Sequence, residues 1–213
     1  MKEMEYLEEL MRRYPVLQAV REDILAAYEA LRNCYEKGGK LLIAGNGGSA
    51  ADSEHIVGEL MKGFVKRRPV PPVFAAALRQ ADPQRGDALA EKLQGGLAAI
   101  ALTGHTGLST AFLNDVDGDM VYAQQLYGYG KTGDAFLGIS TSGNAKNVMY
   151  AVTAAKAAGI TAIELTGKDG GALKKACDIC IVVPEQETFK IQELHLPVYH
   201  ALCLMLEEYF YEA

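Results

Sequence analysis

The chain has 213 residues, of which 49% are hydrophobic and 23% are charged, and its formal net charge is −6. This length is typical of one α/β domain with a sizeable core. The acidic balance argues against bulk electrostatic binding of nucleic acid, and no apolar run approaches the roughly 20 residues that span a bilayer. The N-terminus lacks the basic and then apolar pattern of a secretion signal. We therefore expect a cytoplasmic protein that binds neither nucleic acid nor membrane.

The first elements of the chain are predicted to be helices. Residues 3–38 carry apolar side chains at helical spacing, and Pro15 divides them into a short helix and a longer one near residues 16–36. Residues 40–44 then form a short apolar run, which predicts a buried strand. We expect the two helices to cover the sheet or a subunit interface.

The stretch after the first predicted strand indicates an anion site. Residues 45–49 form a glycine-rich turn, and a helix follows to about Gly63. Glycines let a ligand approach the backbone closely, and the N–H groups and dipole of a helix N-terminus favour phosphate. His55 and Glu59 are four residues apart, so they share one face of this helix. An imidazole and a carboxylate beside an anion site indicate chemistry rather than packing.

Residues 66–96 carry the weakest pattern of the chain. The basic cluster at residues 66–69 is interpreted as a solvated helix exit, with an additional anion contact as the alternative. The prolines at positions 69, 71 and 72 argue against regular helix there. Asp82 and Pro83 have the pattern of an N-cap and first residue of a short helix over residues 87–93. A lid, an interface element and a plain insertion all remain open for this segment.

The remaining sequence alternates apolar runs with helical segments. The further predicted strands cover residues 97–102, 134–139, 160–166 and 178–183. The further predicted helices cover residues 119–129, 145–158, 172–176 and 188–211. This alternation indicates an α/β three-layer sandwich, in which a five-stranded parallel sheet of Rossmann-like type lies between helices. Ligands in such sheets bind at the carboxyl ends of the strands.

A second polar turn follows one of these strands. Residues 140–144 supply three hydroxyls at the start of a helix, which suits a phosphate monoester, although the same residue types are ordinary helix caps. Because both turns lie at carboxyl ends of strands, they can converge on one ligand. On the last helix Gln192 and His200 are eight residues apart and lie roughly on one face. His195 is close enough in sequence to join them.

The cysteine pattern favours a structural role. Cys177 and Cys180 form a C-x-x-C motif, but no second pair completes a zinc site. The motif lies in a predicted strand, where free cysteines pack as small apolar groups. A redox pair or half of a zinc site is the alternative interpretation.

Taken together, these motifs resemble a known family. Residues 45–59 resemble the phosphate turn and active-site helix of the phosphoheptose (sedoheptulose-7-phosphate) isomerases, which belong to the sugar isomerase (SIS) domain superfamily. Residues 138–144 resemble their second phosphate loop, and residues 165–171 and 191–195 resemble their later blocks. The resemblance implies a single SIS domain over residues 1–213, with N-terminal helices over 1–38 and an insertion at 69–96.

The resemblance also implies an activity and a set of site residues. The implied reaction is aldose–ketose isomerisation of a phosphosugar through an enediol, sedoheptulose 7-phosphate to D-glycero-D-manno-heptose 7-phosphate, in a homotetramer. Glu59 is implied to move the proton between C1 and C2, with His200 as the partner acid or base. One zinc ion per subunit is implied, and the ligand types are plausible for zinc. Its implied ligands are His55, Glu59, Gln192 and His200. The implied substrate contacts are Asn46, Gly47, Gly48, Ser49, Asp115, Ser140, Thr141, Ser142, Asn144 and Gln192.

Several positions depart from the family pattern. Ala145 stands where the family often has a serine, and Phe189 and Lys190 stand where an arginine and sometimes an aspartate are found. Pro197 lies inside the last helix and is expected to kink it or force a local adjustment, at a cost of roughly 3 kcal/mol if unrelieved. A different phosphosugar is therefore an alternative. A non-catalytic phosphosugar-binding or protein-binding SIS regulator and a sugar-phosphate etherase or lyase are two others.

Overall fold

A five-stranded parallel sheet forms the centre of the molecule. The computed structural model describes residues 2–211, so Met1, Glu212 and Ala213 lie outside it, at the two ends of the predicted domain. The strands are β1 (Leu41–Gly45), β2 (Ala99–Ala101), β3 (Ala135–Ser140), β4 (Thr161–Thr166) and β5 (Ile179–Val182). Their order is β2-β1-β3-β4-β5, with all neighbouring pairs parallel. The predicted fold class is confirmed.

Helices cover both faces of this sheet. The α-helices are α1 (Glu3–Arg13), α2 (Arg21–Glu36), α3 (Gly48–Met61), α4 (Pro72–Ala81), α5 (Gly86–Lys92), α6 (Thr106–Asp115), α7 (Val121–Tyr129), α8 (Lys146–Ala157), α9 (Leu173–Ala176) and α10 (Thr188–Phe210). Two 3-10 helices occupy Pro15–Val20 and Gly118–Met120. No helix within residues 2–211 combines the length and hydropathy of a membrane span.

Two apolar layers result, one on each face of the sheet. Ile43 and Leu137 pack in the layer formed with α1, α2, α3 and α10. Leu42 and Phe136 pack in the opposite layer, with α7, α8 and α9. Successive residues of a strand point to opposite faces, so a strand covered on both sides must be apolar throughout. This explains why the central strands are continuous apolar runs in the sequence.

The segment between α3 and β2 differs from the sequence prediction. Pro72 is the first residue of α4, so the expectation that the prolines exclude a helix there is wrong. Proline suits this position because the first N–H of a helix has no intrahelical partner. Asp82 accepts hydrogen bonds from the backbone of Gln84 and Arg85 at 2.9 and 3.0 Å. It therefore caps the turn before α5, which starts at Gly86.

The basic cluster at residues 66–69 also differs from its prediction. Arg67 is exposed, but Arg68 is 0% exposed. The Arg68 Nε donates to Glu207 Oε1 of α10 at 2.8 Å, and Glu207 is itself buried. The solvated interpretation is wrong for Arg68, because a charge run in the sequence does not reveal a partner 139 residues away.

The last helix continues through its proline. α10 includes Pro197 in its interior without a break in the helix. Proline removes one backbone donor, and the helix continues on both sides of it. Gln192 and His200 are therefore presented by one continuous helix.

The C-x-x-C motif lies at the start of β5. Cys177 and Cys180 are free thiols of intermediate exposure, and only Cys180 lies within the strand. The Cys180 Sγ lies 3.8 Å from Thr166 Oγ1 of the neighbouring strand. This contact agrees with the interpretation of the two cysteines as small side chains that pack against the sheet.

Glu164 is a carboxylic acid buried in the middle of β4. Its side chain is fully buried, and neither carboxyl oxygen has a hydrogen-bond partner within residues 2–211. Burial, with a smaller contribution from Cys180 opposite it on β5, raises the pKa of Glu164 well above 4.5. The folded protein therefore keeps this carboxyl protonated where the unfolded chain would ionise it.

Replacing Glu164 by glutamine is expected to stabilise the protein at alkaline pH. Because the folded pKa is raised, the wild type loses stability as pH rises from the unfolded pKa to the folded pKa, by about 1.4 kcal/mol per pH unit. Glutamine has a similar shape and does not titrate. Thermal melts of both proteins at about pH 5 and about pH 8 should show an advantage of Glu164→Gln that grows with pH. An advantage that is the same at both values would contradict a protonated Glu164.

Candidate functional site

The two polar turns meet at the carboxyl ends of two neighbouring central strands. β1 and β3 are neighbours, and the chain leaves them toward opposite sides, to β2 and β4. This is the topological switch point of the sheet, where α/β folds form a ligand crevice. One turn follows β1 and leads into α3, and the other follows β3 and leads into α8. Two helix N-termini, both favourable for an anion, therefore lie at the same crevice.

A pair of amides ties the two turns together. The Asn46 Nδ2 donates to Asn147 Oδ1 at 2.9 Å, and the Asn147 Nδ2 donates to Asn46 Oδ1 at 2.8 Å. The Tyr122 hydroxyl donates to the Gly45 carbonyl at 2.7 Å. These contacts fix the first turn against α7 and α8, which holds the crevice in one shape.

The second turn requires glycine at one position. Gly143 has φ of 65°, and a Cβ there would lie 2.0 Å from the Gly170 carbonyl oxygen. Asn144 braces the same contact, because its Nδ2 donates to the Ser142 carbonyl at 2.8 Å and its Oδ1 accepts from the Ala172 N–H at 3.0 Å. The predicted phosphate contact Asn144 is thus engaged in holding the turn, which leaves hydroxyls and N–H groups for the ligand.

Alanine at position 143 is expected to weaken phosphate binding. The left-handed backbone and the overlap with Gly170 must both be relieved, at a cost of about 1–3 kcal/mol, and the turn must shift to do so. We expect a raised KM for a phosphosugar and a lower melting temperature. Gly128→Ala is the matched control, because a Cβ at Gly128 meets no atom within 4 Å. Equal KM values for Gly143→Ala and the wild type would contradict this role of the turn.

The first turn is approached by α10. Gly47 has φ of 57° and precedes α3, while Ser49 is buried. A Cβ on Gly48 would lie 2.7 Å from Gln192 Nε2, so the amide of Gln192 lies directly against this turn. In the second turn Ser140 is buried, whereas Thr141 and Ser142 are half-buried. The structure therefore brings together most of the predicted phosphate contacts.

Further along α3, His55 lies in a hydrogen-bonded chain. The His55 Nε2 lies 3.1 Å from Glu59 Oε1, and its Nδ1 lies 3.0 Å from the Tyr199 hydroxyl. The same hydroxyl donates to Asp52 Oδ1 at 3.2 Å. The Glu59 side chain is 14% exposed and that of His55 is 42% exposed. α3 thus presents a partly desolvated carboxylate with a fixed imidazole beside it.

His200 completes this group from α10. Its ring centroid lies 5.0 Å from that of His55, and the two rings are nearly perpendicular. The His200 Nε2 is buried and has no hydrogen-bond partner within the described chain. Burial, and secondarily the charge of His55, lower the pKa of His200, while Glu59 acts in the opposite sense. A neutral imidazole with a free nitrogen can accept or donate a proton.

Two candidates lie elsewhere. Asp115 ends α6 on the surface, where it accepts a hydrogen bond from Asn114 at 2.8 Å. No hydrogen bond among residues 2–211 joins it to either turn. His195 is fully buried, with its Nε2 3.2 Å from the Thr166 carbonyl oxygen. Burial lowers the pKa of His195 to about 4, so it is a neutral packing residue of the core.

The predicted zinc ligands are only partly assembled. His55, Glu59 and His200 are neighbours, whereas Gln192 lies at Gly48 and makes no hydrogen bond to any of the three. Among residues 2–211 no three His, Cys, Asp or Glu side chains are arranged to hold a metal ion. The ligand types suit zinc nonetheless, because imidazole and carboxylate are its usual donors, and the unpartnered His200 Nε2 is such a donor.

The sequence prediction did not include several residues that shape the site. Asn147 links the two turns, Tyr199 fixes His55, and Tyr122 holds the first turn. Asn147 is marked in the sequence only by its place at the start of a helix, and Tyr199 only by its place next to His200. Neither signal identifies a partner that is more than 100 residues distant.

Known proteins with the same fold provide an independent comparison. The sequence model of the SIS domain matches residues 5–95 and 75–167. The chain is 39% identical over 199 residues to a phosphoheptose isomerase of Aneurinibacillus thermoaerophilus, covering 89% of this chain and 87% of that protein. It is 37% identical over 216 residues to a phosphoheptose isomerase of a Nitratiruptor species, covering 97% of this chain and 100% of that protein. The solved phosphoheptose isomerase of Neisseria gonorrhoeae superposes with a TM-score of 0.73 at 32% identity, covering 96% of each chain.

Proposed function

The chain belongs to the phosphoheptose isomerase family of SIS-domain proteins, and we propose that it interconverts a ketose phosphate and an aldose phosphate. The substrate is a seven-carbon sugar phosphate, sedoheptulose 7-phosphate, and the product is D-glycero-D-manno-heptose 7-phosphate. One observation carries the proposal: α3 begins at the glycine turn and carries Glu59 near its other end, where Glu59 contacts His55 and the His55 ring meets that of His200 of α10.

The spacing along α3 supports a long substrate. Glu59 lies eleven residues after Gly48, which is about 16 Å along the helix axis. The side chain of a helical residue leans back toward the N-terminus, which brings the carboxylate closer to the turn. A phosphate anchored at the turn therefore needs an extended chain of several carbons to place its C1 and C2 beside Glu59.

Proton transfer then follows from the two groups beside the carbons. The Glu59 carboxylate removes the proton from the carbon next to the carbonyl and returns it to the neighbouring carbon. His200, whose pKa is lowered by burial so that the neutral imidazole is favoured, exchanges a proton with the oxygens of C1 and C2. Each such group contributes about 100- to 10,000-fold to the rate when it lies within hydrogen-bond reach. Tyr199 and Asp52 hold His55, which orients the Glu59 carboxylate.

The proposal includes a metal and an assembly. One zinc ion per subunit would be held by His55, Glu59 and His200, with Gln192 joining them from its place at Gly48. When bound, zinc supplies polarisation of a substrate oxygen. The family resemblance further supports a homotetramer that works in the cytoplasm.

The proposed reaction is tested with a panel of five- to seven-carbon ketose phosphates, each followed by NMR for the aldose product. We expect turnover, with sedoheptulose 7-phosphate preferred. A clear preference for a shorter sugar would overturn the substrate assignment. Binding of phosphosugars without any turnover would favour the regulator alternative over an enzyme.

A further inference from the structure

A buried ion pair joins the loop after α3 to α10. The carboxylate of Glu207 accepts the Nε–H of Arg68 at 2.8 Å and the backbone N–H groups of Phe64, Val65 and Lys66 at 2.8, 2.9 and 3.2 Å. Burial alone would raise the pKa of Glu207, but the hydrogen bonds from the loop and from Arg68 together hold it below its ordinary value. The carboxylate is therefore ionised and fully engaged.

The other side of the same guanidinium holds the last turn of α3. The Arg68 Nη1 donates to the Leu60 carbonyl at 2.7 Å, and its Nη2 donates to the Glu59 carbonyl at 3.2 Å. The last carbonyls of a helix have no intrahelical partner, and a positive charge beside them is favourable. Arg68 thus caps the turn of α3 that carries the proposed proton carrier.

The position of Glu207 on α10 links Arg68 to the helix that carries His200. Glu207 lies seven residues after His200, which is about two helical turns, so the two share one face of α10. Arg68 therefore connects the backbone of Glu59 with the helix that carries His200. Lys66, in the same loop, instead binds Glu208 and the Tyr211 carbonyl, both in the C-terminal segment.

We propose that Arg68 is a positioning residue for the isomerisation, which sets the separation of the Glu59 carboxylate from His200 by holding α3 and α10 in one arrangement. This inference rests on the proposed function, in which Glu59 carries the proton. A buried ion pair can often be replaced by apolar side chains without loss of stability. The role of this pair is therefore to fix the geometry rather than to add stability, because the planar fork of an arginine reaches a carboxylate and two carbonyls at once.

The test is a double variant, Arg68→Met with Glu207→Gln, which removes both charges and leaves no buried charge unpaired. We expect a folded protein whose kcat is about 10- to 100-fold lower, because a displacement of about 1 Å can cost on the order of 100-fold. KM is expected to stay within about 2-fold, since the phosphate turn is about 16 Å away along α3. A purely structural role would lower kcat only in proportion to the folded fraction.

Arg68→Lys is the second variant, and it keeps a charge beside Glu207. The compact ammonium lacks the planar fork whose three nitrogens reach the carboxylate and both carbonyls, so kcat is expected to fall here as well. Lys66→Met is the matched control, because it breaks an ion pair between the same loop and α10 without touching α3. Wild-type kcat per folded molecule in the double variant, or an equal loss in Lys66→Met, would overturn the inference.

A crystal structure of the double variant separates this inference from the proposed function. We expect the Glu59 carboxylate to move relative to His200 while the turn at residues 45–49 stays in place. An unmoved Glu59 would overturn the positioning role. A wild-type protein that turns over no phosphosugar would instead count against the proposed function, and the displacement would still decide the role of Arg68.

Discussion

Glutamine in place of Glu59 is expected to lower kcat by about 100- to 10,000-fold, the range for loss of a general base. The substitution keeps the shape of the side chain and one oxygen toward His55 Nε2, which now lies 3.1 Å from Glu59 Oε1. What it removes is the ability to take a proton from carbon. KM should change little, because the phosphate turn is untouched. Steady-state kinetics with sedoheptulose 7-phosphate, together with a thermal melt, measure both effects.

Glu54→Gln is the control for this variant. Glu54 lies on the same helix, is exposed, and accepts a hydrogen bond from Thr103 Oγ1 at 3.0 Å. It is outside the group formed by His55, Glu59 and His200, so its kcat should stay within about 2-fold of the wild type, as expected for an exposed substitution. Equal losses of kcat in Glu59→Gln and Glu54→Gln would mean that activity falls whenever α3 loses a negative charge. Glu59 would then have no specific role in proton transfer.

His200→Gln is expected to have the second largest effect, a loss in kcat of about 100- to 10,000-fold. The His200 Nε2 is buried without a partner in the described chain, which leaves it free for the substrate or for a metal. An amide can form hydrogen bonds there but cannot act as a general acid or base near neutral pH. The measurement is kcat per folded molecule, with the folded fraction taken from circular dichroism.

His195→Gln separates catalysis from packing on the same helix. His195 is fully buried and contacts the Thr166 carbonyl of β4. Its replacement should lower the melting temperature while kcat per folded molecule stays near the wild-type value. If His200→Gln loses only stability, and no more activity than His195→Gln, then His200 is a packing residue and the account of the acid–base pair is wrong.

The fold could be predicted because its signals are local. Apolar runs mark the strands, glycines mark the turns after β1 and β3, and Pro15 marks the end of α1 within two residues. The strand order cannot be predicted from local signals. In a parallel sheet, however, both turns must lie at the carboxyl ends of the strands, whatever the order. This is why the meeting of the two turns at one crevice could be predicted from the sequence.

The parts that the sequence did not predict depend on distant partners. Arg68 is indistinguishable in the sequence from its exposed neighbour Arg67, and only the packing of α10 shows that it meets Glu207. Asn46 and Asn147 join across 101 residues. Pro72 begins a helix that its neighbouring prolines obscured. In each case a side chain takes its role from a contact that sequence spacing does not encode.

Deuterium exchange is the direct test of whether Glu59 carries the proton between C1 and C2. The wild type and Glu59→Gln are incubated with sedoheptulose 7-phosphate in D₂O, and the carbon-bound protons of C1 and C2 are followed by NMR. We expect the wild type to introduce deuterium at these carbons and Glu59→Gln to do so at least about 100-fold more slowly. Exchange at the wild-type rate in Glu59→Gln would contradict this role of Glu59.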